Sequence, residues 1–349
     1  MARLFAILLA LIAIPPGVSG RHISIGVLGL DHPHQLELRA SRTSLVAVIG
    51  NERLELRPGL TEDVAKLSIS GSQVVLTVRG HEYIGSELRA WTRDGTGVFS
   101  LAAQRRIARE YQGLLLVEVR NGELVPIVSM DLETAVAAVV QAESAPEAPL
   151  EALKAQAVVT RSYFAAGRGR HENFDFCDLT HCQVMRDYVG VERLPAKAAS
   201  ETEGLVLAYQ GKTFAAMFTR SCGGRTRTTS EDRLPGDGYP YFAVRCGYCQ
   251  VHPIRWTRKL SAQDAVTAAK GEAGRLAVNR KLGWKTIPSN SFVSQLDTGR
   301  AILHGTGQGH GIGLCQRGSR AMADTGADFR TILRYYFPNT TLSNLAQGE

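Results

Sequence analysis

The sequence predicts a mixed α+β protein, with a β-rich part over residues 21–125 followed by a mixed helix/sheet domain over residues 126–345. Three observations lead there. Short apolar or alternating runs, punctuated by Gly, Asn and Asp, fill the first hundred residues after Arg21. The periodicity turns helical at Asp131. Strand-like and glycine-rich segments return after Gly204, and two short helical segments close the chain.

The N-terminal runs are ISIGVLGL, SLVAVIG, SQVVLTVRG, GVFSLAA and GLLLVEVRNG. Asn121–Gly122 lies between LLLVEVR and ELVPIV and predicts a tight hairpin turn. His32, His34 and His81 sit in polar, loop-like contexts and read as surface residues. Residues 1–20 are set apart from the fold. Arg3, the ten-residue apolar run FAILLALIAI and the small residues of PPGVSG form the pattern of a secretory signal peptide. The run is too short to span a bilayer comfortably, and an uncleaved anchor is the competing reading. Either way the remainder is expected outside the cytoplasm, in the periplasm or cell envelope.

Asp131 is placed to cap the helix LETAVAAVVQAE, whose apolar stripe is Leu132, Val136, Val139 and Val140. Glu143 stands eleven residues after Leu132. At about 100° per residue it returns to that stripe. SAPEAP then breaks the chain, and Pro149 suits the first turn of a second helix, LEALKAQAVVTRSYFAA. Arg161 falls on its stripe of Leu150, Leu153, Ala157 and Phe164. Two successive helices thus aim ionisable groups of opposite sign inward. Further on, GLVLAYQGKTFAAMF predicts a strand pair turning at Gln210–Gly211, and SAQDAVTAAKGEA a helix. The C-terminal segment predicts a strand, a glycine-rich loop and two short helices divided by Gly326.

The net charge is +7. Basicity often marks nucleic-acid binding, but export argues against it, and an anionic wall polymer fits better. Simple solubility is the competing explanation. The six cysteines all lie in the second half. In an exported chain paired disulfides are the default, and their connectivity stays open.

Four groups of residues carry candidate chemistry. The Glu143 carboxyl on an apolar face has its charged form desolvated, which raises its pKa as a general acid requires. A buried ion pair with Arg161 is the alternative. His171, Cys177, His181 and Cys182, in HENFDFCDLTHC, offer zinc's preferred ligand types. A disulfide or a plain loop competes, and the adjacent His181 and Cys182 are expected to diverge rather than both bind. Cys246-Gly-Tyr-Cys249 reads as a disulfide or structural contact, with Cys222 and Cys315 as separate thiols. Either of those two could serve a Cys–His peptidase with His310 or His181 as base, but no local context supports it. Gly305, Gly307, Gly309, Gly311 and Gly313 match neither a Walker loop nor a dinucleotide fingerprint. They predict a cleft-lining turn with His310 and Gln316 as sugar contacts, or tight packing only.

Together these segments resemble the stage II sporulation protein D family, which includes the amidase enhancers of bacterial walls. The matching pieces are VVQAESAPEAPLEALKAQAVVTRSYFAA, FDFCDLTHCQV, FTRSCGGRT, YPYF and GTGQGHGIGLCQRGSRAMADTG followed by ILRYYFPNT. They occur in family order from about Asp131 to Leu342. The resemblance implies a lytic transglycosylase that cuts the bond between N-acetylmuramic acid and N-acetylglucosamine in peptide-stripped glycan strands. It maps the catalytic Glu onto Glu143 and the helix Arg onto Arg161. His171, Cys177 and Cys182 are implied as ligands of a structural zinc. Gln156, in EALKAQA, and Ser221, in RSCGGRT, join His310 and Gln316 as candidate substrate contacts. Two departures stand out: Ser144 follows the Glu where relatives commonly have Met, and Cys315 stands where many have Ser. The rival expectations are a non-catalytic glycan-binding enhancer of a cell-wall amidase and a zinc hydrolase of the peptide stem.

Overall fold

A computed structural model describes residues 22–103, 107–235, 238–297 and 299–345. The signal-peptide reading of residues 1–20 lies outside the described residues. The fold is mixed α+β with a β-rich N-terminal part. A seven-stranded sheet runs in the order Phe176–Cys177, His22–Gly26, Glu123–Asp131, Leu114–Arg120, Glu87–Thr92, Leu45–Ile49, Glu52–Leu56. A six-stranded sheet runs Ile107–Gln112, Val98–Ala103, Leu36–Ala40, Ala65–Ser70, Gln73–Val78, His81–Gly85. Alternate residues of both sheets point inward, as the period of two requires, so Leu36, Leu38, Leu67, Leu76, Leu88 and Leu115 share one core. The hairpin at Asn121–Gly122 forms with Arg120 opposite Glu123, and both turn residues take positive φ.

Helix α1 (Leu132–Glu143) follows directly from the last long strand. The Asp131 carboxylate accepts the Glu133 and Thr134 amides at 2.8 and 3.3 Å, the cap the sequence indicated. Helix α2 (Leu150–Ala166) also keeps its predicted span, with Pro149 as its N-cap. Helix α3 (Leu194–Glu201), which lacks a long apolar stripe, was not anticipated. These helices bury Val136, Val140, Leu153 and Phe164 in the same core as the sheets, so that core runs across residue 125 without a break.

Beyond it, Leu205–Tyr209 pairs with Lys212–Thr213 through the predicted Gln210–Gly211 turn and with Thr341–Asn344 on its other edge. Helices α4 (Gly247–Val251), α7 (Gln316–Asp324) and α8 (Phe329–Tyr336) surround a second core. A third, small core lies under α5 (Ala262–Ala268), α6 (Glu272–Leu282) and the strands Arg255–Ser261, Arg300–Thr306 and Phe292–Asp297. Among the described residues no helix is long and apolar enough to cross a membrane.

The inward charge on α2 finds a partner other than the one the stripes suggested. The fully buried Arg161 donates from Nε to Glu133 Oε1 at 2.7 Å and from Nη2 to the other carboxylate oxygen. Its remaining donors reach the carbonyls of Ala199 and Leu205 and the Thr202 hydroxyl. The buried ion pair of the helical hairpin is therefore Arg161–Glu133, in the first turn of α1, and Glu143 at its far end is not part of it. Glu133→Gln should leave the guanidinium half-paired and lower unfolding free energy by about 3 kcal/mol in denaturant titration. A wild-type midpoint would show that the pair is not needed.

Candidate functional site

Glu143 occupies the last turn of α1, just before Ser144 and the proline-containing break stop the helix. Its Oε1 accepts the Val184 amide at 3.1 Å. Burial pushes the carboxyl above its ordinary range, while the Val184 amide and the charges of Arg186 and Arg220 pull the other way. Gln316, the first residue of α7, donates its amide to the Glu143 carbonyl at 3.0 Å and lies 3.4 Å from Gln156 Oε1. The Gln156 side chain is buried, and its Nε2 has no protein acceptor. Glu143, Gln316 and Gln156 thus come together from three separate segments.

The other predicted contacts do not join them. Arg161 spends its donors on Glu133 and the α3 end, so it does not orient Glu143. Ser221 is buried, with its hydroxyl 3.6 Å from Cys249 Sγ and its amide on the Gln308 carbonyl. His310 accepts the Ile312 amide at Nδ1 and hydrogen-bonds the Phe218 backbone. Burial holds its imidazole below its ordinary pKa, against the pull of Glu272. The glycine run explains both placements. Gly307 and Gly313 take positive φ, and a Cβ on either would stand 2.5 Å from the Ser221 carbonyl or 2.0 Å from that of Met217. The alternating glycines serve close backbone packing there, and His310 is caught within it.

The two arginines beside Glu143 were missed, although the quoted segment FTRSCGGRT contains Arg220 and Arg186 follows QVM. Both are exposed. Nothing in local spacing says that residues 43 and 77 positions after Glu143 will face it.

The loop that supplies Val184 begins as a potential metal centre. One ligand atom each from His171, Cys177, His181 and Cys182 lies within 4.8 Å of all the others. His171 Nε2 is 3.4 Å from Cys182 Sγ, and His181 Nδ1 is 3.6 Å from Cys182 Sγ and 3.8 Å from Cys177 Sγ. A tetrahedral zinc with ordinary bond lengths separates sulfur from nitrogen by roughly 3.5 Å, so the donor set fits such an ion. The expectation that His181 diverges from Cys182 is corrected. His181 turns inward through Nδ1, the nitrogen nearer its backbone, whereas the distant His171 reaches with Nε2.

The loop is fastened to the N-terminal sheet. Phe176–Cys177 pairs in parallel with Ile25–Gly26. Asp175 accepts the Ser24 amide and hydroxyl, both at 2.9 Å, and Asp178 accepts the Leu28 amide at 3.1 Å and Arg109 at 2.8 Å. Cys222, Cys246, Cys249 and Cys315 form a second gathering of sulfurs, all buried. The reading of Cys222 and Cys315 as separate thiols is thereby corrected. Their burial also leaves neither open to a peptide, against the peptidase alternative.

The family profile for "Stage II sporulation protein" matches residues 120–209, which run from the Asn121 hairpin through α1, α2, the Cys/His loop and α3. An uncharacterized protein of Brachyspira hyodysenteriae is 30% identical, over 65% of this chain and 71% of its own length. Stage II sporulation protein D of Bacillus amyloliquefaciens is 25% identical over 62% of this chain and 75% of that protein. The amidase enhancer of Bacillus subtilis is 24% identical over 56% of this chain but only 38% of that longer protein. The profile spans the Glu143 hairpin and the Cys/His loop, these relatives align over 56–65% of the chain, and the chain belongs to the stage II sporulation protein D family.

Proposed function

We propose that the protein is an exported lytic transglycosylase that cleaves between N-acetylmuramic acid and N-acetylglucosamine in peptide-stripped glycan strands. The observation that carries this reading is the desolvated carboxyl of Glu143 at the end of α1, held by the Val184 amide and under the charge influence of Arg186 and Arg220. Glu143 protonates the bridging oxygen as that bond breaks. The resulting carboxylate then takes the proton of the muramic 6-hydroxyl as it attacks the anomeric carbon. The products are a 1,6-anhydromuramic end and a free N-acetylglucosamine 4-hydroxyl. One carboxyl suffices because the nucleophile is internal and no water needs activation. Arg186 and Arg220 are suited to hold the muramic carboxylate that peptide removal uncovers.

The zinc that the Cys/His cluster fits would be structural. Four protein ligands leave no open position, which weighs against a zinc hydrolase. Its task would be to hold the loop from Cys182 to Arg186, and with it the Val184 amide. A second reading, a glycan-binding module that stimulates a separate amidase, draws on the Bacillus subtilis relative's name. Digestion of purified glycan, with and without stem peptides, separates the two. The first reading requires anhydro ends in the absence of any amidase, and intact strands would leave the second.

Glu143→Gln should lower cleavage by about 10²–10⁴-fold. A carboxyl whose folded pKa is raised loses its proton first in the unfolded chain. Its contribution therefore disfavours folding increasingly as pH rises through that window. The variant should accordingly melt at or above wild type at neutral pH, and retained cleavage by a folded variant would refute the role.

The acid form must be present for cleavage. The alkaline limb of kcat/KM is thus expected above the ordinary carboxylate range, with activity lost as pH rises through the Glu143 pKa. Arg220→Ala removes a charge that lowers this pKa, so the limb should move to higher pH while KM rises. A limb that stays in place would separate Arg220 from Glu143.

His181→Ala should release the zinc of this cluster at a chelator concentration at least about tenfold lower than wild type requires. Unchanged metal retention would confine the ligands to His171, Cys177 and Cys182.

A further inference from the structure

We infer that Cys222, Cys246, Cys249 and Cys315 form a second metal centre, a mononuclear tetrathiolate site for zinc. Each sulfur lies within 4.8 Å of the other three, and Cys249 and Cys315 are 3.6 Å apart. Two zinc-bound thiolates stand roughly 3.8 Å apart in a regular tetrahedron, so the four atoms already outline a coordination sphere of that size. Multi-iron clusters spread their thiolates over several metal atoms and need a wider cage. None of the four is bonded to another. Two disulfides would draw the sulfurs into two separate close pairs, whereas here all four converge on one point.

The surroundings suit bound thiolates. The Cys222 amide donates to Cys315 Sγ at 3.4 Å. The Tyr336 hydroxyl lies 3.3 Å from Cys246 Sγ, and the Ser221 hydroxyl 3.6 Å from Cys249 Sγ. Such donors are the outer hydrogen bonds that orient metal ligands and spread their charge. Arg220, Arg245 and Arg317 each stand within two residues of a cysteine ligand, on a site that carries two net negative charges when filled. Four buried thiols at one point would otherwise leave their weak donors and acceptors to one another. A soft divalent ion satisfies all four at once.

The topology shows what the centre would hold. Phe218–Thr219 and Leu314–Cys315 pair in parallel, with Thr219 opposite Cys315. Cys222 follows the first strand, and Cys315 ends the second. The Cys246–Cys249 pair straddles the start of α4, at the end of a long excursion from residue 223. The metal would close that excursion back onto the strand pair. Gln316, which donates to the Glu143 carbonyl, directly follows Cys315, and Arg220, whose charge acts on the Glu143 carboxyl, stands two residues before Cys222. The centre itself does not depend on the glycan-cleavage reading, and its test does not use cleavage.

The full chain, purified without added thiol, is analysed for zinc and by zinc X-ray absorption. With both centres filled, about two zinc ions per chain are expected, with a mean shell of about three sulfurs and one nitrogen. Cys315→Ser should lose one of the two and shift the remaining shell to about two sulfurs and two nitrogens. His171→Ala should leave an all-sulfur shell. The wild-type spectrum decides even where a variant fails to fold. A wild-type shell of two sulfurs and two nitrogens at one zinc per chain would overturn the proposal. Disulfides among these four cysteines in a non-reduced peptide map would do the same, as would iron in place of zinc.

Discussion

The guanidinium of Arg161 is the point on which the helical part of the molecule converges. It is fully buried, and its donors reach α1 through Glu133, the end of α3 through Ala199 and Thr202, and the following strand through Leu205. A buried cation demands every one of those partners, because each unmet donor in a dry interior is costly. The α1–α2 hairpin is therefore held in one arrangement against α3 and the Leu205–Tyr209 strand. That fixes the opposite end of α1, where Glu143 stands. The residue that would have compromised Glu143 by pairing with it instead secures its position from a distance.

The same logic assigns work to the N-terminal sheets. They contribute no group to the Glu143 site, but one edge strand, His22–Gly26, accepts Phe176–Cys177 as an added strand. Asp175 and Asp178 then bind backbone amides on that edge. The Cys/His loop is tied at its base by the sheet and gathered at its tip by four ligand atoms. Residues 183–186 follow directly from Cys182, with the Met185 amide on the Asp178 carbonyl, and the Val184 amide reaches Glu143. On the other side, Arg220 and Gln316 emerge from the cysteine-rich cluster. Two short segments that bond Glu143, one through the Val184 amide and one through Gln316, thus each adjoin a set of converging metal-type ligands.

What the sequence made legible was local. Asp131 as a cap, the hairpin at Asn121–Gly122 and the spans of α1 and α2 all follow from spacing and turn chemistry within a dozen residues. The inward aim of Glu143 and Arg161 was also legible, because helical periodicity records which face is buried. It does not record which partner waits there. Glu133 lies one residue after Leu132, off the apolar stripe, and only the packing of α2 across α1 brings it to Arg161. His181 was set aside on a rule about adjacent side chains that ignores the two reaches of an imidazole. Cys222 and Cys315 are 93 positions apart and meet through a parallel strand pair, which leaves no periodic trace. The glycine run around His310 left an open cleft and close backbone contact as alternatives, because alternating glycines permit both. The carbonyls they approach come from residues 217–221, far away in the chain.

The electrostatics of Glu143 fit the proposed chemistry in one further respect. Opposing influences act on its pKa: desolvation raises it, and the Val184 amide and the charges of Arg186 and Arg220 lower it. Desolvation comes from the packed end of α1 and is present whether or not a glycan is bound. The arginine contribution is conditional, because both side chains are exposed and able to meet an anion from solvent. A muramic carboxylate pairing with them would neutralise their share of the influence that lowers the pKa, leaving that of the Val184 amide, and add a negative charge nearby. Strand binding also excludes water, which strengthens desolvation. Both changes push the carboxyl further toward its protonated form at the moment a bridging oxygen arrives to receive the proton. A glycan whose muramic carboxylate is still blocked by a stem peptide cannot exert the first effect. Under the proposed reading, preference for stripped strands then follows from the charge balance around one carboxyl, without a separate recognition pocket.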